Sequence, residues 1–200
     1  MALHAAYVIW LVFIASWNVA MLWTARAVAR GPLLQRVATL AIYVLGFGLL
    51  FTTPLGRGGG FGLDHVVPFA WRSQLWVMPG LLRWVMVGIV AMVFAFAWWA
   101  RLHLGRLWSG QLTLREGHRV IDTGPYAHVR HPIYTGFIAA SWALALLVAT
   151  PAAVAGAVVL TLAMTVKARV EEALLARELS GGKYAAYAAR TPMLVPFTSV

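Results

Sequence analysis

Gly124-Pro125-Tyr126-Ala127-His128-Val129-Arg130-His131-Pro132-Ile133-Tyr134-Thr135-Gly136, with the apolar run that follows it to Val166, decides how this chain folds. Two Gly, two Pro, two Tyr, two His and one Arg crowd into the quoted stretch. Residues 133–166 are then almost uniformly apolar, interrupted at Thr150-Pro151. At about 1.5 Å per residue this block is too long for one crossing of a hydrocarbon core about 30 Å thick, and it fits two short antiparallel helices joined by a tight turn. Pro132 suits the first turn of the first of these helices, where its missing N–H removes no hydrogen bond. Arg130 and His131 then sit just outside a membrane helix, at the boundary between water and lipid.

Working outward, the whole chain agrees with a membrane setting. Of its 200 residues 62% are hydrophobic and only 11% are charged, with a mean hydropathy of +0.78; soluble domains carry about 25% charged residues. The net charge of +10 would point to nucleic acid in a soluble protein. Here the basic residues flank apolar runs, so topology and anionic lipid headgroups account for them and no nucleic-acid partner is expected. The absence of Cys excludes disulfides and thiolate metal sites. The first apolar run has no basic leader and no small-residue cleavage site, and reads as a retained span.

Spans are predicted at residues 5–25, 37–53 and 81–100, each long enough to cross, followed by the hairpin. Ser16 and Asn18 in the first read as packing residues between helices. Residues 55–78 form a loop rich in Gly and aromatics. Its Gly56-Arg57-Gly58-Gly59-Gly60-Phe61-Gly62 is no dinucleotide fingerprint, because no strand precedes it and no amphipathic helix follows. Phe69, Trp71 and Trp76 read as interfacial anchors. Asp64-His65 is ordinary loop polarity, since two adjacent ligands without further partners do not make a metal site. Lys167 to Leu179 continues the last helix out of the membrane, and Gly181-Gly182 stops it. Tyr184, Tyr187 and Arg190, three apart, share a face of a short final helix. With five spans, residues 26–36, 101–131 and 167–200 lie on one side with most of the Arg and Lys. That side is cytoplasmic by the positive-inside rule and the N-terminus is outside.

Closing the hairpin brings the residues before 133 against those after 166. Arg130, His131 and Tyr134 therefore approach Glu171, Glu172, Tyr184, Tyr187 and Arg190. Charges that pair across a hairpin at a membrane boundary read as a functional site. Simpler roles exist for several of them. Arg130 alone would serve as a topology residue, Tyr184 and Tyr187 as interface anchors, and His118 and His128 as solvated loop residues. Glu171 has an i,i+4 partner in Lys167. Glu172 has only Ala168 and Ala176 at that spacing, which makes it the better site candidate. His103, His118, His128 and His131 lack helical ligand spacing, so no metal is expected.

One ordered set of motifs goes further. His118-Arg119-Val120-Ile121-Asp122-Thr123-Gly124-Pro125-Tyr126 comes first, then Arg130-His131-Pro132-Ile133-Tyr134-Thr135-Gly136 and Glu171-Glu172. Tyr184 and Tyr187 follow, with Arg190, Pro192 and Pro196-Phe197. Over about residues 98–197 this set resembles the isoprenylcysteine carboxyl methyltransferase family, itself similar to the phospholipid N-methyltransferases and, more distantly, the sterol reductases. Ser180-Gly181 stands where the family usually has Phe-Gly, and Met193 stands at a variable position.

The resemblance implies an all-α integral membrane protein with five transmembrane helices, the last two a tight hairpin. It implies a cytoplasmic cofactor pocket formed by the 101–132 and 167–200 segments. The chain is then a single membrane domain, with three spans in residues 1–100 and a catalytic half in 101–200 around the hairpin 133–166. The cofactor implied is S-adenosylmethionine, leaving as S-adenosylhomocysteine. His118, Val120, Ile121, Gly124, Tyr126, His131, Pro132, Tyr134, Glu171, Glu172, Tyr184 and Tyr187 are the residues expected to hold it. Glu172 suits the sulfonium or ribose, and the turn at Gly124–Tyr126 suits the adenosine. Arg130, Glu172 and Arg190 are the expected catalytic residues: the planar fork of an Arg can grip a carboxylate. Arg130 is assigned to the methyl acceptor and Arg190 to closing the site. The implied acceptor is a lipophilic small molecule or prenylated substrate, methylated on a carboxyl oxygen; amine N- or thiol S-methylation are the alternatives. Membrane lipids are the other expected partners, and a bacterial inner membrane the expected location. An NADPH-dependent sterol-reductase-like enzyme would need more basic residues for the 2′-phosphate and a longer chain. A small transporter would need an Asp or Glu within the spans of residues 5–100, where none lies.

Overall fold

A computed structural model of the chain describes residues 1–20, 22, 33–54, 62–105, 120–178 and 183–198. The Gly-rich stretch 56–61, the expected cofactor residue His118, the basic residues Arg26 and Arg30 and the helix stop at Gly181-Gly182 lie outside them. The described regular structure is helical: α1 (Ala2–Ala20), α2 (Leu33–Leu50), α3 (Gly80–Leu104), α4 (Pro132–Val148), α5 (Pro151–Glu178) and α6 (Lys183–Ala188), with short 3-10 turns at Phe69–Arg72 and Gly124–Ala127. Four helices, α1, α2, α3 and α5, are long and apolar enough to cross a membrane, and α4 is a shorter apolar helix of 17 residues. The chain is an integral membrane protein.

The spans shift against the sequence reading. The second begins at Leu33 and ends at Leu50, and the third runs on from the predicted residue 100 to Leu104. Arg101 explains that extension. Its guanidinium is buried and donates to Gly105 O (2.7 Å) and to Ala20 O (3.0 Å), so it satisfies the last carbonyl of α1 from the end of α3.

Helix α1 buries Ala2, Ala6, Trp10, Phe13, Trp17 and Ala20, a stripe at helical spacing, while Val8, Val12 and Val19 face outward. The stripe packs on α3, which packs on α4. Phe13 stacks on Phe94 of α3, Trp10 meets the same ring edge-on at 4.6 Å, and Phe137 of α4 closes on Phe13 at 5.1 Å. Such offset and T-shaped pairs add about 0.5–1.5 kcal/mol each beyond their buried area. Ser16 bridges helices as expected, accepting from the Trp98 indole at 3.2 Å; Asn18 bonds back to Ile14 O in its own helix.

The hairpin turn has its own chemistry. Ala149 takes the left-handed conformation (φ 59°) that ends α4, and its N–H bonds Ala145 O. The Thr150 hydroxyl accepts from Ala153 N at 3.2 Å and caps α5, whose first residue is Pro151. The loop before α3 seals the turn from outside: Leu75 N–H donates to Ala149 O (2.8 Å) and the Trp76 indole to Leu146 O (3.0 Å). Trp76 is thus tied to the hairpin, whereas Phe69 and Trp71 stay exposed. Asp64 accepts from the Thr53 N–H and hydroxyl, and Arg72 donates to Asp64 O and Thr53 O, which fixes the same loop to the end of α2.

Helix α2 packs chiefly on α5, and touches α1 through the Trp10–Phe47 ring pair at 5.8 Å. The contact is glycine on backbone. A Cβ at Gly156 would stand 2.5 Å from Leu50 N and 2.7 Å from Gly46 O, so only Gly permits this approach. A cavity of about 800 Å³ lies between α1, α2, α4 and α5, lined by Leu11, Trp17, Leu40, Phe47, Phe137 and Met164 among others.

Candidate functional site

The segment before α4 is shaped by its own residues. Gly124 has φ +58°, and a Cβ there would stand 2.9 Å from the His103 ring. The positive φ favours glycine here, while the His103 ring could turn aside from a side chain. Pro125 then starts a 3-10 turn. His103, at the end of α3, also shares a 2.9 Å hydrogen bond with the Thr123 hydroxyl. Pro132 opens α4, and His131 before it is held out of the helical region (φ −122°, ψ 62°).

The hairpin carries these residues to α5. Arg130 Nε donates to Glu172 Oε1 at 2.6 Å and Nη2 to Oε2 at 3.2 Å, a two-pronged pair. Its Nη1 donates to Ala188 O at 2.7 Å and also to Thr191 O. His131 Nε2 lies 3.2 Å from Glu172 Oε1, and the Tyr134 hydroxyl donates to Glu171 Oε1 at 2.7 Å. The His131 and Tyr134 rings stack nearly parallel at 5.3 Å. The two Glu side chains are about one-fifth exposed, which leaves them in contact with water at the edge of the cluster.

The C-terminal segment is zipped onto this cluster through backbone. Arg130 N–H donates to Pro192 O (2.9 Å), His131 N–H to Met193 O (3.1 Å), and the Thr135 hydroxyl to Leu194 O (2.7 Å). From α6 the Tyr187 hydroxyl donates to Tyr126 O at 2.7 Å, joining the final helix to the 3-10 turn. Burial pushes the Tyr126, Tyr184 and Tyr187 phenols well above their usual value, and nearby Glu172 adds to this for Tyr184. All three stay neutral hydroxyls across the physiological range. Tyr187→Phe should lower stability by about 1–2 kcal/mol, the penalty for taking a donor from a buried carbonyl. Thermal denaturation of the purified protein measures it, and an unchanged midpoint would show that this bond does not hold α6 in place.

Of the residues singled out in the sequence, Arg130, His131, Tyr134, Glu171, Glu172, Tyr184 and Tyr187 come together, with the turn at Gly124 and Tyr126 beside them. Pro132 is buried at the head of α4, and Val120 and Ile121 are half-buried, Ile121 against the core. Arg190 stands apart. It pairs with Asp122 at the rim, where their side chains are 62% and 39% exposed, against 11% and 19% for Arg130 and Glu172. An ion pair so exposed contributes little.

Sequence reasoning missed three contributors. One is the set of C-terminal carbonyls that receive Arg130, which no side-chain pattern announces. The others are Tyr43 and Lys167, which line the cavity beside Tyr134. A Lys closing an apolar run of this length is itself a readable signal.

The model of the isoprenylcysteine carboxyl methyltransferase (ICMT) family matches residues 84–177. The match takes in α3 from Trp84 onward, the 3-10 turn at Gly124–Ala127, α4 and α5 up to Arg177, and so includes Arg130, His131, Tyr134, Glu171 and Glu172; α6 lies beyond it. No curated protein matches the chain. The span of that match follows the elements that build the polar cluster, and over those residues the chain is similar to the isoprenylcysteine carboxyl methyltransferase family, a family of membrane methyltransferases.

Proposed function

We propose that this protein transfers a methyl group from S-adenosylmethionine to a lipophilic acceptor, in the first place to a carboxyl oxygen. One observation carries the acceptor side. Tyr134 belongs at once to the polar cluster, through its bond to Glu171, and to the lining of the 800 Å³ apolar cavity. A molecule lying in that cavity has its end beside the polar cluster. The volume falls within the roughly 300–1,000 Å³ of small-molecule sites.

The residues fit the proposed donor chemically. Glu171 and Glu172 offer carboxylate oxygens to ribose hydroxyls, an amino group and a positive sulfur, and the buried Tyr184 and His131 supply donors and flat faces. The donor, when bound, supplies a methyl group on a cationic sulfur. The cluster orients the acceptor against it, and a carboxylate, already a nucleophile at pH 7, needs no general base. Arg130 acts here by holding Glu172 and the C-terminal segment, and Arg190 by closing the rim against Asp122.

For topology, the 17 residues of α4 span about 25 Å at 1.5 Å each, close to a hydrocarbon core of about 30 Å. We therefore read five crossings in a single membrane domain, with the N-terminus outside and the polar cluster on the cytoplasmic side of a bacterial inner membrane.

Isothermal titration separates this function from its rivals. S-adenosylhomocysteine should bind and NADPH should not. Glu172→Gln should weaken S-adenosylhomocysteine by roughly 1.5–3 kcal/mol, the scale of a hydrogen bond to a charged group. Binding of NADPH alone would favour the reductase reading. Unchanged affinity in Glu172→Gln together with loss in Glu171→Gln would move the donor to the neighbouring carboxylate.

A further inference from the structure

At the end of the bundle opposite the polar cluster, the loop before α3 turns its polarity inward and its apolar side chains outward. Val66, Phe69 and Val77 are 78%, 76% and 76% exposed, and Trp71 and Leu75 are about half exposed. From Val66 to Val77 the one charged residue is Arg72. Its guanidinium folds back onto the Asp64 carboxylate and onto the carbonyls of Asp64 and Thr53. The loop is tied down at both ends. Leu63 N–H donates to Gly48 O (3.1 Å) at the end of α2, and Leu75 and Trp76 donate to the hairpin. Beneath the loop the hairpin stops short. Ala149 and Thr150 at its turn are fully buried, and the 3-10 turn at Phe69–Arg72 packs on α5. The 17 residues of α4 span about 25 Å, about 5 Å less than the hydrocarbon core. One layer of extended chain is about 5 Å thick. Laid over the buried turn, the loop sits at the level where acyl chains give way to headgroups.

We propose that residues 66–77 form a lipid-docking plate, seated in the headgroup–acyl boundary of the leaflet opposite the polar cluster, with Val66, Phe69, Trp71 and Val77 as the side chains that enter the lipid. Continuity with the crossing surface identifies the partner. The exposed patch runs without a break into Leu81, Leu82 and Trp84 at the start of α3, a helix long and apolar enough to span the membrane. Bulky apolar side chains gathered in one patch are unfavourable in water and favourable in lipid. The inward Arg72 agrees, since a loop built for water would present its charge outward. Depth follows from the backbone. Non-helical chain is tolerated at the boundary, where water and headgroups complete its hydrogen bonds, and not in open hydrocarbon. Trp71 suits that level, with an apolar body and an N–H for the headgroups. Trp76 belongs to the tie and not to the docking surface, because its N–H is spent on Leu146 O.

Spin-label depth measurements test this. The chain has no Cys, so single cysteines carry a nitroxide without background. Val66→Cys, Phe69→Cys and Val77→Cys report on the plate, and Met92→Cys, exposed midway along α3, reports on the hydrocarbon. Each variant is held as one copy per phosphatidylcholine nanodisc. Collisions with oxygen and with a water-soluble nickel chelate are read by power saturation against phosphatidylcholines labelled at known depths. The labels at 66, 69 and 77 should lose most of the nickel collisions of a free label and read near the ester carbonyls, shallower than the label at 92. Nickel collisions equal to those of the free label would place the loop in water and overturn the proposal. Shielding from oxygen and nickel alike would give the face to protein contact and overturn it too. A second measurement keeps the native side chains. In the wild-type protein, a phosphatidylcholine with a diazirine close to its ester should label the peptide of residues 66–77, located by mass spectrometry. Labelling of α3 with none on that peptide would overturn the assignment. Neither readout involves a methyl donor, so this proposal and the proposed function fall separately.

Discussion

Arg130→Lys should disable the protein and loosen its C-terminus together. The change keeps the charge and loses the planar fork, which here serves Glu172 with two donors and the carbonyls of Ala188 and Thr191 with a third nitrogen. Truncating one partner of a buried pair costs about 3–5 kcal/mol; with a residual charge and some solvent at Glu172 we expect about 2–3 kcal/mol. Glu172 would then lose its fixed position, and since a shift of about 1 Å in a positioned group costs roughly hundredfold in rate, methyl transfer should fall by about that much. The readouts are transfer from labelled S-adenosylmethionine to a generic prenylcysteine acceptor, affinity for S-adenosylhomocysteine, and limited proteolysis of residues 183–198. All three should suffer. The sequence reading had Arg130 touching the acceptor, and it predicts a different pattern: slowed transfer with cofactor affinity nearly intact. That pattern would return Arg130 to the acceptor.

Gly156→Val should be the most damaging change in the membrane. Its Cβ would meet Leu50 N and Gly46 O, which are backbone atoms and cannot rotate away. Overpacking costs about 1–3 kcal/mol where side chains can yield, and we expect the top of that range or more here. For a chain of this size about 3 kcal/mol lowers the melting midpoint by roughly 6–12 °C. Because α2 forms one wall of the cavity, binding of a C15 isoprenyl thioether to the protein should weaken in parallel. A midpoint within a degree or two of the wild type would mean that α2 and α5 do not approach this closely.

The hairpin and the cluster it builds could be read from the chain, because both depend on local signals. Thr150-Pro151 interrupts an apolar run, Pro132 fixes a helix start, and a tight turn then forces Arg130 and His131 opposite Glu172. The partner of α2 could not be read. Nothing in residues 33–50 distinguishes a helix lying on α3 from one lying on α5, and the deciding contact, Gly46 with Gly156, is a shape match between residues far apart in sequence. The extension of α3 to Leu104 was hidden for a related reason. Arg101 looks like a boundary charge until the end of α1 supplies the carbonyl that buries it. Sequence also counted both Arg130 and Arg190 as catalytic and could not tell the inner one from the one at the rim, because the spacing of charges carries no information about depth.

The loop ties at Leu75 and Trp76 bear on traffic. They clamp the hairpin at one end, while the strapping of residues 192–194 onto Arg130, His131 and Thr135 clamps the other. A rod pinned at both tips makes a poor door. The remaining walls of the cavity are α1, anchored by its aromatic face, and α2, whose Leu33, Leu34 and Val37 are exposed among the described residues. A guest would therefore slip in sideways past α2, diffusing in two dimensions within one leaflet, and its supply would depend on how much of it is dissolved in the bilayer and little on its solubility in water.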